Sequence, residues 1–190
     1  MDNVMPNISE MTLVFWINTN TNRRMALFSY AVQDSPDEFF VGFEREQIII
    51  TIKSLKKENL RIRPINDGFW HYLVIIITKM TKKTFLDGVV ILNKTMVNHS
   101  LPLLRGGGVV AIGQKLECEN AVFDPNMSFV GKIYDLNLWK YDVTRNASCT
   151  IMGLEDGCTT EPHEQVIQWR DLDILSSGNV SRAFELGIVV

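Results

Sequence analysis

The sequence predicts an all-β fold, two antiparallel sheets packed as a sandwich or jelly roll, and three observations carry that prediction. The stretch SFVGKIYDLNLWKYDVT at 128–144 interleaves polar and apolar residues, and from 134 to 138 the alternation is strict. Tyr134, Leu136 and Leu138 share one side and Asp135 and Asn137 the other, the period-two pattern of a strand with a dry and a wet face. Turn signals recur at short intervals: NTNTN at 18–22, DSPDE at 34–38, NDG at 66–68, LDG at 86–88, RGGG at 105–108 and DPN at 124–126. Between them lie short runs rich in β-branched and aromatic residues, the spacing of a sandwich.

The expected strands, in order, begin with TLVFWIN at 12–18, MALFSYAV at 25–32, EFFVGF at 38–43, QIIITIK at 47–53 and LRIR at 60–63. WHYLVIIIT at 70–78 follows, and its apolar stretch at 72–77 has the length of a buried strand, far short of a membrane helix. Then come KTFL at 83–86, VVAIG at 109–113, the alternating strand, VIQW at 166–169 and AFELGIV at 183–189. One segment reads as helical, about 145–152, behind a Thr144 cap. Trp16, Trp70, Trp139 and Trp169 all fall in these strands, where core packing is the expectation.

With 190 residues the chain suits a single domain, 1–190, with a substantial core. A net charge of -3 argues against a nucleic-acid binder. The first residues, MDNVMPNISEM, carry no signal peptide. Yet six glycosylation acceptor triplets occur, at Asn7, Asn93, Asn98, Asn126, Asn146 and Asn179. Chance would supply about two, given fourteen asparagines and this Ser/Thr content. The expectation is therefore an extracellular segment, secreted or part of a cell-surface ectodomain, whose signal sequence is absent from this stretch. Cys149 and Cys158 enclose a short loop and suit a disulfide outside the cell, leaving Cys118 over.

Charge is uneven. Between Lys53 and Lys83 the local net is +6, leaving -9 for the remainder. If the strands of this region are sheet neighbours, Lys53, Arg61, Arg63 and Lys79 converge into a basic patch suited to an anionic glycan or an anionic headgroup. His71, in FWHYL, lacks a nearby nucleophile with an orienting acid and reads as structural. Glu117 and Glu119 would place two carboxylates on one strand face, as a sandwich glycosidase requires, but lack a third acidic partner. An enzyme is not expected.

Taken in order, several runs resemble the pentraxin family: MTLVFWINT with ALFSYA, then DGFWHYLVI, LDG, IGQ at 112–114, SFVGKIYDLNLW and VIQWR. The resemblance covers about 11–180 and implies a jelly roll with one short helix after Trp139. It also implies three departures. The family's inter-strand disulfide falls on Val14 and Val74, a packed contact in place of a bridge that is worth about 2–4 kcal/mol. A strand that precedes MTLVFW in the family is missing, which would leave an edge open. The family's two calcium ions need six to eight hard oxygen ligands. At those positions Asp37, Glu117 and Asp124 keep oxygen-bearing side chains, whereas Pro36, Lys115, Leu116 and Met127 do not supply them. Leu116 offers only its carbonyl, and Lys115 replaces the carboxylate that bridges both ions; a two-residue slip would present Glu117 and Glu119 instead. The resemblance thus implies a non-enzymatic recognition or adhesion module with a degraded calcium site, binding an extracellular protein or anionic glycan. The alternative is a secreted oligomeric pentraxin that binds phosphate-bearing ligands through calcium.

Overall fold

The computed structural model describes residues 5–53, 58–96, 102–117, 122–145, 164–172, 181–183 and 187–189. It is all-β, and its strands are β1 (Met11–Asn18), β2 (Met25–Val32), β3 (Ser35–Glu44), β4 (Gln47–Ile52), β5 (Glu58–Arg61), β6 (Trp70–Ile77), β7 (Thr81–Leu86), β8 (Val89–Thr95), β9 (Val109–Ile112), β10 (Lys115–Leu116), β11 (Phe123–Asp124), β12 (Lys132–Trp139), β13 (Gln165–Ile167), β14 (Ser181–Ala183) and β15 (Gly187–Val189). An eight-stranded sheet runs β14-β15-β12-β1-β6-β7-β8, with β13 also on β12, and a five-stranded sheet runs β5-β4-β3-β2-β9. The strand that begins MTLVFW is thus an interior strand of its sheet, with β12 and β6 on its two sides.

The core lies between the sheets. From the large sheet come Leu13, Phe15, Leu73, Ile75, Leu136 and Leu138, and from the small one Phe28, Tyr30, Phe39, Val41, Ile48 and Ile50. Each large apolar side chain so enclosed contributes about 1.5–3 kcal/mol relative to exposure. The run at 72–77 is apolar at every position because both of its faces are covered. Leu73, Ile75 and Ile77 point into the core, while Tyr72, Val74 and Ile76 join a second cluster with Val14, Trp139 and Val143. The chain leaving β12 folds back over that outer face. Buried Thr12 pins it there, donating from Oγ1 to the Tyr141 carbonyl (2.8 Å) and accepting from Val143 N (3.2 Å). Val14 and Val74 lie directly opposite each other on β1 and β6, both buried, as the substitution of a packed contact for a bridge requires.

The small sheet is covered by the β10–β11 hairpin and a 3-10 turn at Pro125–Met127. Leu116 packs on Ala31 and Ala111, and Met127 packs on Ala26, Phe40 and Ile49. Gly42 is required beneath this cover, since a Cβ there would stand 2.6 Å from the Phe40 ring and 2.9 Å from the Met25 carbonyl. Asp87 and Gly88, at φ 49° and 76°, form the two-residue loop joining β7 and β8, the left-handed pair that matches strand twist.

Four sequence expectations change. The alternating strand holds a bulge: Val14 faces Asn137 but Trp16 faces Tyr134, so β12 carries one extra residue, with Asp135 in the left-handed region at φ 51°. The extra residue reverses Tyr134, which is 39% exposed, while Leu136 and Leu138 face the core. The segment expected as one strand at 183–189 forms two, β14 and β15, paired antiparallel. Trp169 lies in a 3-10 turn (Trp169–Asp171) rather than in a strand. Of the four tryptophans only Trp139 is buried, and it packs on the outer face of the large sheet. After β12 the described backbone forms a 3-10 turn at Val143–Arg145, and most of the helix expected at about 145–152 lies outside the described residues.

Candidate functional site

The expected calcium residues meet where β3, β10 and β11 adjoin on the outer face of the small sheet. Asp37 enters from β3, Lys115 from β10, Glu117 from the residue after it, and Asp124 from β11, whose backbone pairs with Lys115. The ammonium of Lys115 lies between the carboxylates, 3.2 Å from Asp37 Oδ1 and 3.7 Å from Glu117 Oε1, and 5.8 Å from the centre of the Phe40 ring. The buried Oδ1 of Asp37 accepts no hydrogen bond and has this ammonium as its charge partner. Asp124 is turned elsewhere, its Oδ1 accepting from Asn126 N (2.9 Å) to cap the 3-10 turn. A divalent ion would have to approach a lysine and collect six or more oxygens. These residues do not fit it, and among the described residues no group of three or more His, Cys, Asp or Glu is set to hold a metal. Glu119 lies outside the described residues.

His71 occupies the start of β6, buried, with Nδ1 2.8 Å from Asp87 Oδ2 and Nε2 3.0 Å from Asp67 Oδ1. Tyr72 N donates to Asp87 Oδ1 (2.8 Å), and the Arg63 guanidinium pairs with Asp87 as well. Burial pushes the Asp87 carboxyl up, but His71, the Tyr72 N–H and Arg63 outweigh it and hold it below the usual range. The Phe69 N–H and His71 do the same for Asp67. Both ring nitrogens of His71 are therefore engaged by carboxylates, which ties the 63–71 segment to the Asp87-Gly88 loop. The structural reading of this histidine fits that geometry.

The four expected basic residues do not converge. Their premise was one sheet, but β4 and β5 belong to the small sheet and β6 and β7 to the large one. Arg61 lies opposite Gln47, while Lys53 follows the far end of β4, about 20 Å away along the strand. Arg63 lies past the end of β5, so it shares no strand face with Arg61, and it stands with Asp87 at the His71 end of β6. Lys79 follows the opposite end of β6. Lys53 itself donates to the Pro102 carbonyl. Two ends of the sandwich each receive two of the four.

An aromatic row crosses the outer face of the large sheet. The Tyr134 ring stands 6.3 Å from Trp70 and 6.0 Å from Trp169, both edge-on. Only the bulge at Asp135 brings Tyr134 there, a signal that alternation alone hides. Burial pushes the Asp135 carboxyl up, with Asn137 donating against that shift. Of the six acceptor asparagines, Asn7, Asn93 and Asn126 are exposed, and Asn98, Asn146 and Asn179 lie outside the described residues, as do Cys118, Cys149 and Cys158.

Comparison with known proteins places these features in context. The family model described as the Pentaxin family matches residues 1–182. The chain is 28% identical over 178 residues to rat (Rattus norvegicus) sushi, von Willebrand factor type A, EGF and pentraxin domain-containing protein 1, covering 90% of this chain and 5% of that one. It is 23% identical over 187 residues to mouse (Mus musculus) neuronal pentraxin-2, covering 94% of this chain and 41% of that one. The chain therefore spans well under two thirds of either relative. Among solved structures, a native heptameric SAP-like pentraxin from Limulus polyphemus superposes with a TM-score of 0.61 at 17% identity, over 73% of this chain and 67% of that one, a likeness of fold. Among the described residues no helix is long and apolar enough to cross a membrane.

Proposed function

This chain belongs to the pentraxin family, and from that premise we propose that it is an extracellular, non-enzymatic recognition module that engages a protein or anionic glycan partner without calcium. The observation that carries the reading is Lys115. Its ammonium is an internal cation, fixed by covalent attachment at 3.2 Å from Asp37 and 3.7 Å from Glu117. The carboxylates that would draw a metal ion already have a counter-charge. With Asp124 turned to its cap, too few oxygens remain for a hard divalent cation.

Several features support the extracellular part. Three acceptor asparagines stand exposed on the described surface, which is what attached glycans require. The relatives are pentraxins or proteins that contain a pentraxin domain. The small share of the first relative that this chain covers suits a module carried within a longer protein. Cys149 and Cys158 would pair in that setting.

The test is thermal unfolding under calcium titration. A ligand that binds only the folded state raises the midpoint by mass action. We expect no midpoint change at millimolar calcium and none on adding chelator. A strong, chelator-reversible rise would instead establish the secreted, calcium-dependent class. Light scattering of the purified chain reads the oligomer that such a class would form.

A further inference from the structure

The two sheets meet at an open corner where β5, an edge of the small sheet, faces β8, an edge of the large one. One ion pair crosses that corner, Lys94 Nζ to Glu58 Oε1 at 2.6 Å. Directly opposite Lys94, on the neighbouring strand, stands Lys82. Cross-strand partners on one face lie about 5 Å apart, so the two ammonium-bearing chains share the corner.

Lys82 is out of place for a sandwich strand. The inward positions of β7 are Lys82, Thr84 and Leu86, and Lys82 is only 4% exposed. No hydrogen bond or ion pair holds its ammonium among the described residues, and the buried Thr84 Oγ1 also has no partner. Burial pushes the Lys82 amine down to about 8; Glu58 from β5 opposes this and Lys94 from β8 adds to it. Its partner on β6 is the uncharged Ile77. Two lysines thus share one carboxylate, and that carboxylate is already bonded to Lys94. A lysine so buried, with its charge only partly offset by Glu58, is costly to folding, and a hydroxyl without a partner adds to the cost.

We propose that Lys82, Lys94 and the Thr84 hydroxyl form a binding corner for a tetrahedral oxyanion, the sulfate or phosphate group of an ester. Such a group accepts several charge-assisted hydrogen bonds at once, which two ammonium groups and a hydroxyl supply. It adds to the partial compensation that the single Glu58 carboxylate gives the two lysines. The corner rests on the proposed function only for the source of the anion, since it would give an anionic glycan a place to bind. Because an oxyanion favours the charged amine, binding draws a proton onto Lys82 near its own pKa. Affinity therefore falls as the pH rises past that value.

The experiment is thermal unfolding in sodium sulfate against sodium chloride at equal ionic strength, at about pH 7 and about pH 9. The expected result is a rise in midpoint specific to sulfate, smaller at the higher pH. Lys82→Met keeps the shape and removes the charge; it should fold, melt higher than the parent without sulfate, and lose the sulfate increment. Should that variant fail to fold, Thr84→Val, which keeps both ammonium groups, should shrink the increment. The same increment in a folded Lys82→Met chain, or in Thr84→Val, overturns the corner, as does no sulfate increment in the parent. A heparin-derived oligosaccharide and inorganic phosphate, each competed against sulfate, tell a sulfated glycan from a phosphate ester. Sulfate binding that Lys82→Met abolishes, with no glycan bound, leaves the corner standing and removes the glycan. Glycan binding untouched by Lys82→Met does the reverse.

Discussion

Arg105 holds the wholly buried carboxylate of Glu38 twice, through its backbone N–H to Oε1 at 2.8 Å and through its guanidinium to Oε2 at 2.8 Å. The same guanidinium reaches Asp34 Oδ1 at 2.6 Å. The pair fixes the 105–108 segment against the start of β3, and Tyr30 completes the anchor by donating to the Arg105 carbonyl and accepting from Gly108 N.

Removing the arginine side chain should therefore be severe. Arg105→Met leaves Glu38 charged and buried with only Ser35 and the residue 105 backbone N–H to hold it, a change that costs about 3–5 kcal/mol where a buried pair is broken. Denaturant unfolding measures it. Adding Glu38→Gln in the same chain should recover part of the loss, because the residual penalty belongs to the stranded charge.

Acid should destabilise the fold through three carboxyls. Burial pushes Glu38 up, but the hydrogen bonds and charge of Arg105 outweigh it, so Glu38 lies below its ordinary value, as do Asp67 and Asp87. A carboxyl lowered in the folded state contributes stability that is present above its unfolded pKa and lost as the pH falls through the folded one. Asp135, raised by burial, works in the opposite direction. The urea midpoint should hold from neutral pH to about 5 and fall steadily below about 4. A midpoint flat to lower pH would refute the three-carboxyl account.

The Asp87 position combines a backbone demand with a side-chain one. Its φ of 49° disfavours ordinary residues, and its carboxylate serves His71, Tyr72 N and Arg63 together. Asp87→Ala should cost at least about 2 kcal/mol, from the left-handed backbone and the lost acceptors. Asp87→Asn tolerates the backbone and should cost less, a split that equilibrium unfolding resolves.

Exchanging the Lys115 ammonium for a carboxylate should create affinity for a cation. Lys115→Asp brings a third acid beside Asp37 and Glu117. Unlike the parent, this variant should melt at a higher temperature in millimolar calcium and revert on chelation. Without calcium it should melt below the parent, since the acids then repel one another.

Val14 and Val74 are direct cross-strand partners, and such partners have Cα atoms about 4.5–5.5 Å apart, within reach of a disulfide. Val14→Cys with Val74→Cys should close a bridge under oxidation and raise stability by about 2–4 kcal/mol, read as the difference in unfolding with and without reductant.

Most of the sandwich could be read from residue spacing because its inward positions are apolar and its turns carry Asn, Asp, Gly and Pro. Lys115 lies between Asp37 and Glu117 because opposite charges in one cluster attract in any fold. What could not be read depends on register. Tyr134 shares its spacing with Leu136 and Leu138, and one inserted residue, Asp135, sends it to the opposite face. The basic residues clustered in the chain but separated in space, because the sheet changes between β5 and β6. Lys82 and Thr84 were legible in principle: in TKKTFL they stand in phase with Leu86, and that phase is the inward one.

The cross-strand contact of Val14 and Val74 has a consequence for biogenesis. All three cysteines fall outside the described residues, so the described strands of both sheets contain no thiol. Closing that frame needs no electron acceptor, and no oxidoreductase has to act before β1 and β6 can meet. The frame should mature at the rate set by its long-range strand pairing, in a reducing medium as readily as in an oxidising one.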